Sequence, residues 1–571
     1  MTLVPKPPRQ RLERATIERD AALDQLTRDL GPAFERAKAR WSSFLLIEAP
    51  VSDPALPLAA IDLSTRKIRV NLPEIATKGI DSTIEAILAH ELGHHVRWPG
   101  TLAVQARMHV IERQLIPFED YSLVNLFTDL MINEEIGREL SEELTRIYRA
   151  YWTPDDSAWK SDPAFCLYLT VYEELWRLPR GAIVGHAALE LEQLCPGARA
   201  DAQILATDLF NLGPNPYTQF LFFVSIVTRY VKGLGRERPK PFRPCDCGPG
   251  EPSSDDWAEA MRPDAKEAEA IARALSERWF PDSQAERLRD EGSLLRRQGP
   301  LSANPARLER IPEIMASYYR RQAERFLFRP PKQKTLGEVI VPTTLGRWEA
   351  GDPVREIDWL ATLNARGPTL GPALPERREK VAEWEGADES LWRPRIEIYL
   401  DVSGSMPDPK HTENAMTLAG QILALAAIRA GGSARAILYS HEPVIYQGWC
   451  RSELELSRFL MHHIGGGTEF PFAELIRSMA TCGRDQPIRA VITDPDFDSN
   501  VRAYNGANDL LRTAATKSAR FVLLQHRAFE TRIKDYQALG LAVISVPSMT
   551  DFPRTAARLA RVLFPDAGFE S

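Results

Sequence analysis

A chain of 571 residues with 44% hydrophobic content is too long for one core and is expected to divide into roughly two to four domains. Its net charge of -7 argues against a nucleic-acid surface as its main business. Six cysteines in so long a chain are no disulfide framework, and Cys245-x-Cys247 has no second pair to complete a zinc set.

The opening stretch, MTLVPKPPRQRLERATIERD, is basic and holds no apolar core, so it reads as no secretory signal and a cytoplasmic address is expected. From Arg11 to Trp41 the apolar residues recur at helical spacing, and RKIRVNLPEI then reads as a short strand before the next helix. Asp81-Ser82-Thr83 offers capping side chains and Trp98-Pro99-Gly100 a stop, which predicts a helix of about four turns between them. A second helix is expected through FEDYSLVNLFTDLMINEEIGREL, and helical, aromatic-rich patterning continues to Val231. The run FLFFVSIV, Phe220 to Val227, is too short to span a bilayer and predicts a core helix. These segments compose a mainly α domain over 1–232.

Residues 233–264, crowded with Pro, Gly, Ser and charge, have the composition of a flexible linker. A charged helical segment follows over 265–328, then a smaller subdomain over 329–392. From 393 to 571 the apolar runs PRIEIYLDVS, SARAILYS, RAVITD, RFVLLQ and LAVISVP alternate with helical stretches. That alternation predicts an α/β, doubly wound, Rossmann-like domain with a parallel sheet.

Two constellations carry chemistry. In LAHELGHHVRWPG, a helix brings His90 and His94 onto one face, where both can offer ring nitrogens to one tetrahedral ion, with Glu91 beside it. In that arrangement zinc acidifies a water and the carboxylate takes its proton. The alternative reading is a pair of satisfied core histidines. The metzincin continuation is absent, because Gly100 and Thr101 supply neither the glycine nor the histidine its spacing needs. Asn125, Asp129 and Asn133 share a face of the next helix, so Asp129 is the expected third ligand. Glu134 is its rival, followed by Glu135, Glu119 and His109; Tyr121 and His95 are candidates for stabilising an oxyanion. Gly93 costs about 1 kcal/mol within a helix, which implies that another backbone or a substrate approaches closely.

The pairing of HELGH with NLFTDLMIN, Asn125 to Asn133, resembles a family of predicted zincin-like metallopeptidases in which an H-E-x-x-H helix precedes N-x-x-x-D-x-x-I-N. The likeness covers about 100 residues. It implies Zn2+ and a peptide or protein substrate.

The second constellation begins in IEIYLDVSGSM, an apolar run ending in Asp401, Ser403 and Ser405. In a doubly wound sheet, ligands gather at the carboxyl ends of strands, and hard oxygens that leave waters in place suit Mg2+. GGGTEF adds Thr468, and RAVITDPD adds Asp494 at the end of another apolar run. The order D-x-S-x-S, Thr, Asp resembles the metal-ion-dependent adhesion site of von Willebrand factor A domains, which implies a Mg2+ site with one position left for a partner's carboxylate. Pro495 stands where a glycine is usual, and Asp496 and Asp498 are expected to add negative charge.

Upstream, GRWEAGDPVREIDWLATLNARG resembles the segment preceding the A domain in proteins associated with MoxR-type AAA+ ATPases, through Gly351-Asp352-Pro353, Arg355 and Ile357-Asp358-Trp359. The likeness implies such an ATPase as partner. Trp348, Ile357 and Trp359 are expected to pack this segment onto the A domain. The sequence thus leads to two expectations: a zinc metallopeptidase whose A domain recruits a protein partner, or a non-catalytic adaptor for an AAA+ ATPase with a structural or inactive zinc site. Nothing in it calls for a nucleic-acid or membrane partner.

Overall fold

The computed structural model describes residues 8–42, 44–116, 122–152, 162–231, 250–289, 310–327, 339–350, 352–366, 375–383, 393–481 and 486–564. The chain forms two compact units. One comprises Met1–Arg325, Val402–Thr417 and Ser457–Gly465, and the other Phe326–Asp401, Leu418–Leu456 and Gly466–Ser571.

The first unit is mainly helical. The long helix α1 (Pro8–Trp41) leads into a small sheet of β1 (Val51–Ser52), β2 (Ala59–Asp62) and β3 (Lys67–Val70), followed by α2 (Leu72–Lys78) and α3 (Ile84–Val96). β3 lies at the centre of the sheet, parallel to β1 and antiparallel to β2, with Ile61 opposite Ile68. Then come α4 (Leu102–Leu115), α5 (Leu123–Tyr151), α6 (Pro163–Leu175), α7 (Ala187–Leu194), α8 (Ala198–Asn211) and α9 (Pro216–Val231). One core joins Phe34 and Ala37 of α1, Ile61 and Ile68 of the sheet, Leu88 and Leu92 of α3, and Ile132 and Ile136 of α5. Phe220, Leu221, Phe223, Val224 and Val227 of the apolar run are buried within α9, as its character predicts.

Three details depart from expectation. Asp81–Thr83 forms a 3-10 turn with no side-chain cap; the turn supplies the acceptor itself, since the Ile84 N–H donates to the Asp81 carbonyl. In the stretch expected as linker, Ser253 and Asp256 form a capping box that starts a helix over Ser254–Ala260, so residues suited to loops here begin a helix. Residues 233–249 of that stretch lie outside the described residues. Leu140 takes a non-helical conformation (φ -115, ψ 23) and divides α5 into two helical runs. The charged segment contributes helices Ala265–Ser276, Asp282–Arg289 and Arg310–Glu324. Buried Arg107 of α4 ties the first of these down, donating to Glu267 at 2.8 Å and to the Glu259 and Arg262 carbonyls.

The second unit is built on a six-stranded sheet in the order β11-β10-β9-β6-β7-β8. The strands are β6 (Arg395–Asp401), β7 (Ser433–Tyr439), β8 (Pro443–Ile445), β9 (Ile488–Thr493), β10 (Arg520–His526) and β11 (Ala542–Val546). All neighbours run parallel except β7 and β8. Central strands buried on both faces read as continuous apolar runs, which is why the sequence announces them. One ionic cluster interrupts this apolar layer. Glu397 and Arg489, both fully buried, pair at 3.0 Å, with Arg435 3.3 Å from Glu397 and the Ser478 hydroxyl donating to Glu397 at 2.7 Å.

β4 (Val339–Arg347) pairs antiparallel with β5 (Glu376–Glu383) and carries the short helix Trp359–Arg366. Of the residues expected to pack this segment inward, Trp348 donates to the Pro353 carbonyl within its own loop and Ile357 bridges Arg377. Trp359 is 52% exposed rather than packed inward, and the Asp358 N–H beside it donates to the Glu376 carbonyl. Asp352 pairs with Arg377 at 2.6 Å, and Gly351 lies outside the described residues.

Candidate metal centre

Helices α3 and α5 cross where Gly93 faces Ile132. A Cβ on Gly93 would lie 2.5 Å from Ile132 Cγ2 and 2.9 Å from Trp41 Cζ2. The close approach that this glycine permits is therefore to side chains of α5 and α1, rather than to a backbone or substrate. Trp41 is itself fixed, its indole donating to the Ala89 carbonyl at 2.7 Å.

That contact sets the site. His90 Nε2 lies 3.6 Å and His94 Nε2 3.4 Å from the same oxygen, Asp129 Oδ1. Among the described residues these three form the one group of His, Cys, Asp or Glu side chains whose ligand atoms lie close enough together to hold an ion. Each imidazole is oriented through its other nitrogen: His90 Nδ1 meets Asn133 Oδ1 at 2.8 Å, and His94 Nδ1 meets the Trp98 carbonyl at 2.8 Å. Partners of that kind turn Nε2 toward a common point. Trp98 is braced edge-on against Phe127, one of the aromatics through which α5 meets α9.

The electrostatics are those of one coupled cluster. Burial works against the His90 imidazolium, but the neighbouring Asp129 carboxylate prevails and raises it to about 9. Burial pushes the Glu91 carboxyl up to about 7, although the His90 charge and the Ile61 N–H favour its ionised form. Burial and the adjacent His90 charge bring His94 down to about 4.

Two buried atoms, His94 Nε2 and Glu91 Oε2, have no hydrogen-bond partner among the described residues. Leaving such atoms unserved costs about 1–3 kcal/mol each, so the group fits a cation at the Nε2 atoms and a water beside Glu91. A cavity of about 30 Å³, bounded by His90, Glu91, Asp129, Asn133 and Tyr148, has room for one or two waters.

The rivals are engaged elsewhere. Glu134 is turned outward to Arg138 at 2.7 Å, Glu135 pairs with Arg97 at 3.2 Å, and His109 with Glu112 at 3.0 Å. Glu134 lies one helical step past Asn133, so its side chain leaves the α3-facing side of α5. Glu119 and Tyr121 lie outside the described residues, and His95 is not part of the cluster. Sequence reasoning placed Asn133 on the correct face without assigning it a part, and did not single out Tyr148 or the Trp98 carbonyl. A search for acceptors one turn beyond each histidine or ligand would have found Asn133 and Trp98; nothing local marks Tyr148.

In the second unit, Asp401 ends β6 and Asp494 directly follows the neighbouring strand β9. Both are buried. The Thr493 hydroxyl donates to Asp401 Oδ2 at 3.1 Å, and Asp494 Oδ1 accepts from the Asp496 N–H at 2.9 Å. Asn500 ties the glycine-rich turn down by donating to the Thr468 carbonyl at 3.0 Å. The Ser403 and Ser405 hydroxyls, in the stretch Val402–Thr417 that belongs to the first unit, lie 3.1 Å apart. Pro495 precedes the helix Asp496–Ala503 as its cap residue. The Asp498 carboxylate accepts from the buried Tyr536 hydroxyl at 2.7 Å. Cys245, Cys247 and Cys482 lie outside the described residues; Cys166 and Cys450 are buried.

No helix among the described residues is long and apolar enough to cross a membrane. No family model matches the chain, and no curated protein matches it.

Proposed function

We propose that the first unit is a zincin-like hydrolase of peptide bonds, with His90, His94 and Asp129 holding Zn2+ and Glu91 as general base. The observation that carries this reading is the approach of both Nε2 atoms to Asp129 Oδ1 at 3.4 and 3.6 Å. Ligands on a tetrahedral zinc at bond lengths of about 2.0–2.1 Å stand roughly 3.3–3.4 Å apart. When bound, the ion supplies Lewis acidity toward a water and a substrate carbonyl.

The chain's own residues do the rest. Glu91 takes a proton from the attacking water at Oε2 and returns it to the departing amine nitrogen as the C–N bond breaks. The aliphatic side chains of Leu58, Ile87 and Ile147 line the remainder of the cavity and limit the water around that carboxyl. The test is metal content by mass spectrometry on the purified parent, His94→Ala and Asp129→Ala, followed by peptide hydrolysis with Glu91→Gln as control. One zinc per chain, lost in both ligand variants, and cleavage lost in Glu91→Gln with zinc retained are the expected results. Undiminished cleavage by Glu91→Gln refutes the mechanism.

For residues 393–571 we propose a von Willebrand factor A fold with a Mg2+ adhesion site formed by Asp401, Ser403, Ser405, Thr468 and Asp494. Two buried carboxylates at the carboxyl ends of adjacent parallel strands support it. Through that site the chain engages a protein partner, which the segment around Asp352 and Trp359 suggests is a MoxR-type AAA+ ATPase or its client. Capture of such an ATPase in Mg2+ should disappear in EDTA and in Asp401→Ala with Ser403→Ala. If the chain captures the ATPase but cleaves nothing, the adaptor reading holds and the zinc site is structural.

A further inference from the structure

The amide of Asn133 is committed at both ends. Its Nδ2 donates to the Tyr148 hydroxyl at 2.8 Å and the Tyr172 hydroxyl at 2.9 Å, while its Oδ1 faces His90 Nδ1 at 2.8 Å. A carboxamide is nearly symmetric in shape, so what fixes its orientation is the protonation of its neighbours. Burial holds the Tyr172 hydroxyl far above its ordinary range and therefore protonated. Each hydroxyl has one proton to give: Tyr148 directs its own to Tyr172 at 3.3 Å, and Tyr172 lies 2.5 Å from Tyr168, where its proton can go. Both tyrosines then present lone pairs to Asn133, which turns Nδ2 toward them and Oδ1 toward His90.

An amide oxygen only accepts, so the ring nitrogen facing it must carry a proton. His90 is thereby held with Nδ1 protonated and Nε2 directed at Asp129. The His94 ring is held in the same sense by an oxygen that also only accepts, the Trp98 carbonyl. Only the His90 arrangement runs through side chains.

We propose that Asn133, clamped by Tyr148 and Tyr172, is the positioning residue that selects the His90 tautomer and presents Nε2 for metal binding. The inference rests on the metal-site reading above and goes beyond it in assigning a tautomer-setting relay.

The test uses the full chain as parent, Asn133→Leu, Asn133→Asp and the double variant Tyr148→Phe with Tyr172→Phe. Zinc affinity is measured by competition with a chromophoric chelator, the Co2+ absorption spectrum reports ligand geometry, and thermal unfolding in chelator checks the fold. Asn133→Leu, branched alike but without an acceptor, should weaken zinc binding about 10–100-fold and change the Co2+ spectrum. Asn133→Asp keeps an oxygen toward Nδ1 and should restore both readings to near those of the parent. The double Phe variant, which frees the amide to turn, should fall between them; it carries the comparison if Asn133→Leu does not fold. Equal zinc affinity and an unchanged spectrum in Asn133→Leu overturn the inference, as does an Asn133→Asp chain as weak as Asn133→Leu. A parent that takes up neither ion overturns the metal-site reading and this inference with it, so the two failures are distinguishable.

Discussion

Replacing Gly93 with alanine probes the contact on which the centre depends. The new Cβ would meet Ile132 Cγ2 at 2.5 Å, Trp41 Cζ2 at 2.9 Å and Ile132 Cγ1 at 3.1 Å, well inside the roughly 3.5–4.0 Å at which carbons pack. Ile132 is fully buried and the Trp41 indole is pinned to the Ala89 carbonyl, so neither neighbour can swing aside. Overpacking of this kind costs about 1–3 kcal/mol, and the upper part of that range applies to such immobile neighbours. Alanine's advantage within a helix offsets about 1 kcal/mol. A net loss of about 1–2 kcal/mol is expected.

Metal binding should suffer more than stability. Relief of the clash requires α3 to back away from α5 by roughly an ångström, whereas ligand distances tolerate about 0.2 Å. His90 and His94 move with the helix, and zinc affinity should fall on the order of tenfold or more. Urea unfolding in chelator and a zinc competition titration measure the two effects separately. Ile132→Ala removes the nearest and third-nearest clashing carbons and leaves Trp41 Cζ2 at 2.9 Å, so combining it with Gly93→Ala should give a favourable coupling of about 1 kcal/mol in a double-mutant cycle. A Gly93→Ala chain that is more stable than the parent and binds zinc equally well would refute the argument.

Two further predictions concern charge. Arg489→Met leaves the fully buried Glu397 carboxylate short of its closest cation and should cost about 3–5 kcal/mol by urea unfolding; adding Glu397→Leu should recover most of it. Glu85 of α3 is partly buried, which raises its carboxyl, yet Arg36 and Arg40 of α1 prevail and hold it below 4.5. A carboxyl lowered on folding contributes stability that is present above its unfolded value and lost as pH falls through its folded one. The stability gap between parent and Glu85→Gln should therefore close on acidification below about pH 4.5, and a gap that widens there would contradict the assignment.

How far the sequence was legible depended on whether a residue's part is local. PRIEIYLDVS, SARAILYS, RAVITD and RFVLLQ each coincide with a strand of the large sheet, since burial on both faces leaves no polar alternation to mislead, and LAVISVP holds the partly exposed edge strand β11. β8, three residues long and on the edge, carried no such signal. The helical period placed His90, His94 and Asp129 on the faces that meet, because i to i+4 spacing is written in the chain. Trp359 misled because an aromatic in a short helix looks like core, whereas exposure depends on packing that the local sequence does not encode. Gly93 signalled a close approach, but only the packing reveals that the approaching group is Ile132.

The interruption at Leu140 has a consequence for chain length. In an unbroken helix, Tyr148 would stand roughly 22 Å along the axis from Asn133, out of hydrogen-bonding reach. The 2.8 Å bond between them, fifteen residues apart, exists because one non-helical residue folds the run back on itself. The interval therefore works as a ruler. One residue inserted between Leu140 and Tyr148 would rotate the hydroxyl by about 100° around its helix and out of the relay, while the same insertion beyond Tyr151 would leave the centre untouched. A pattern that fixes this gap and ignores the letters inside it could find other chains built on the same plan.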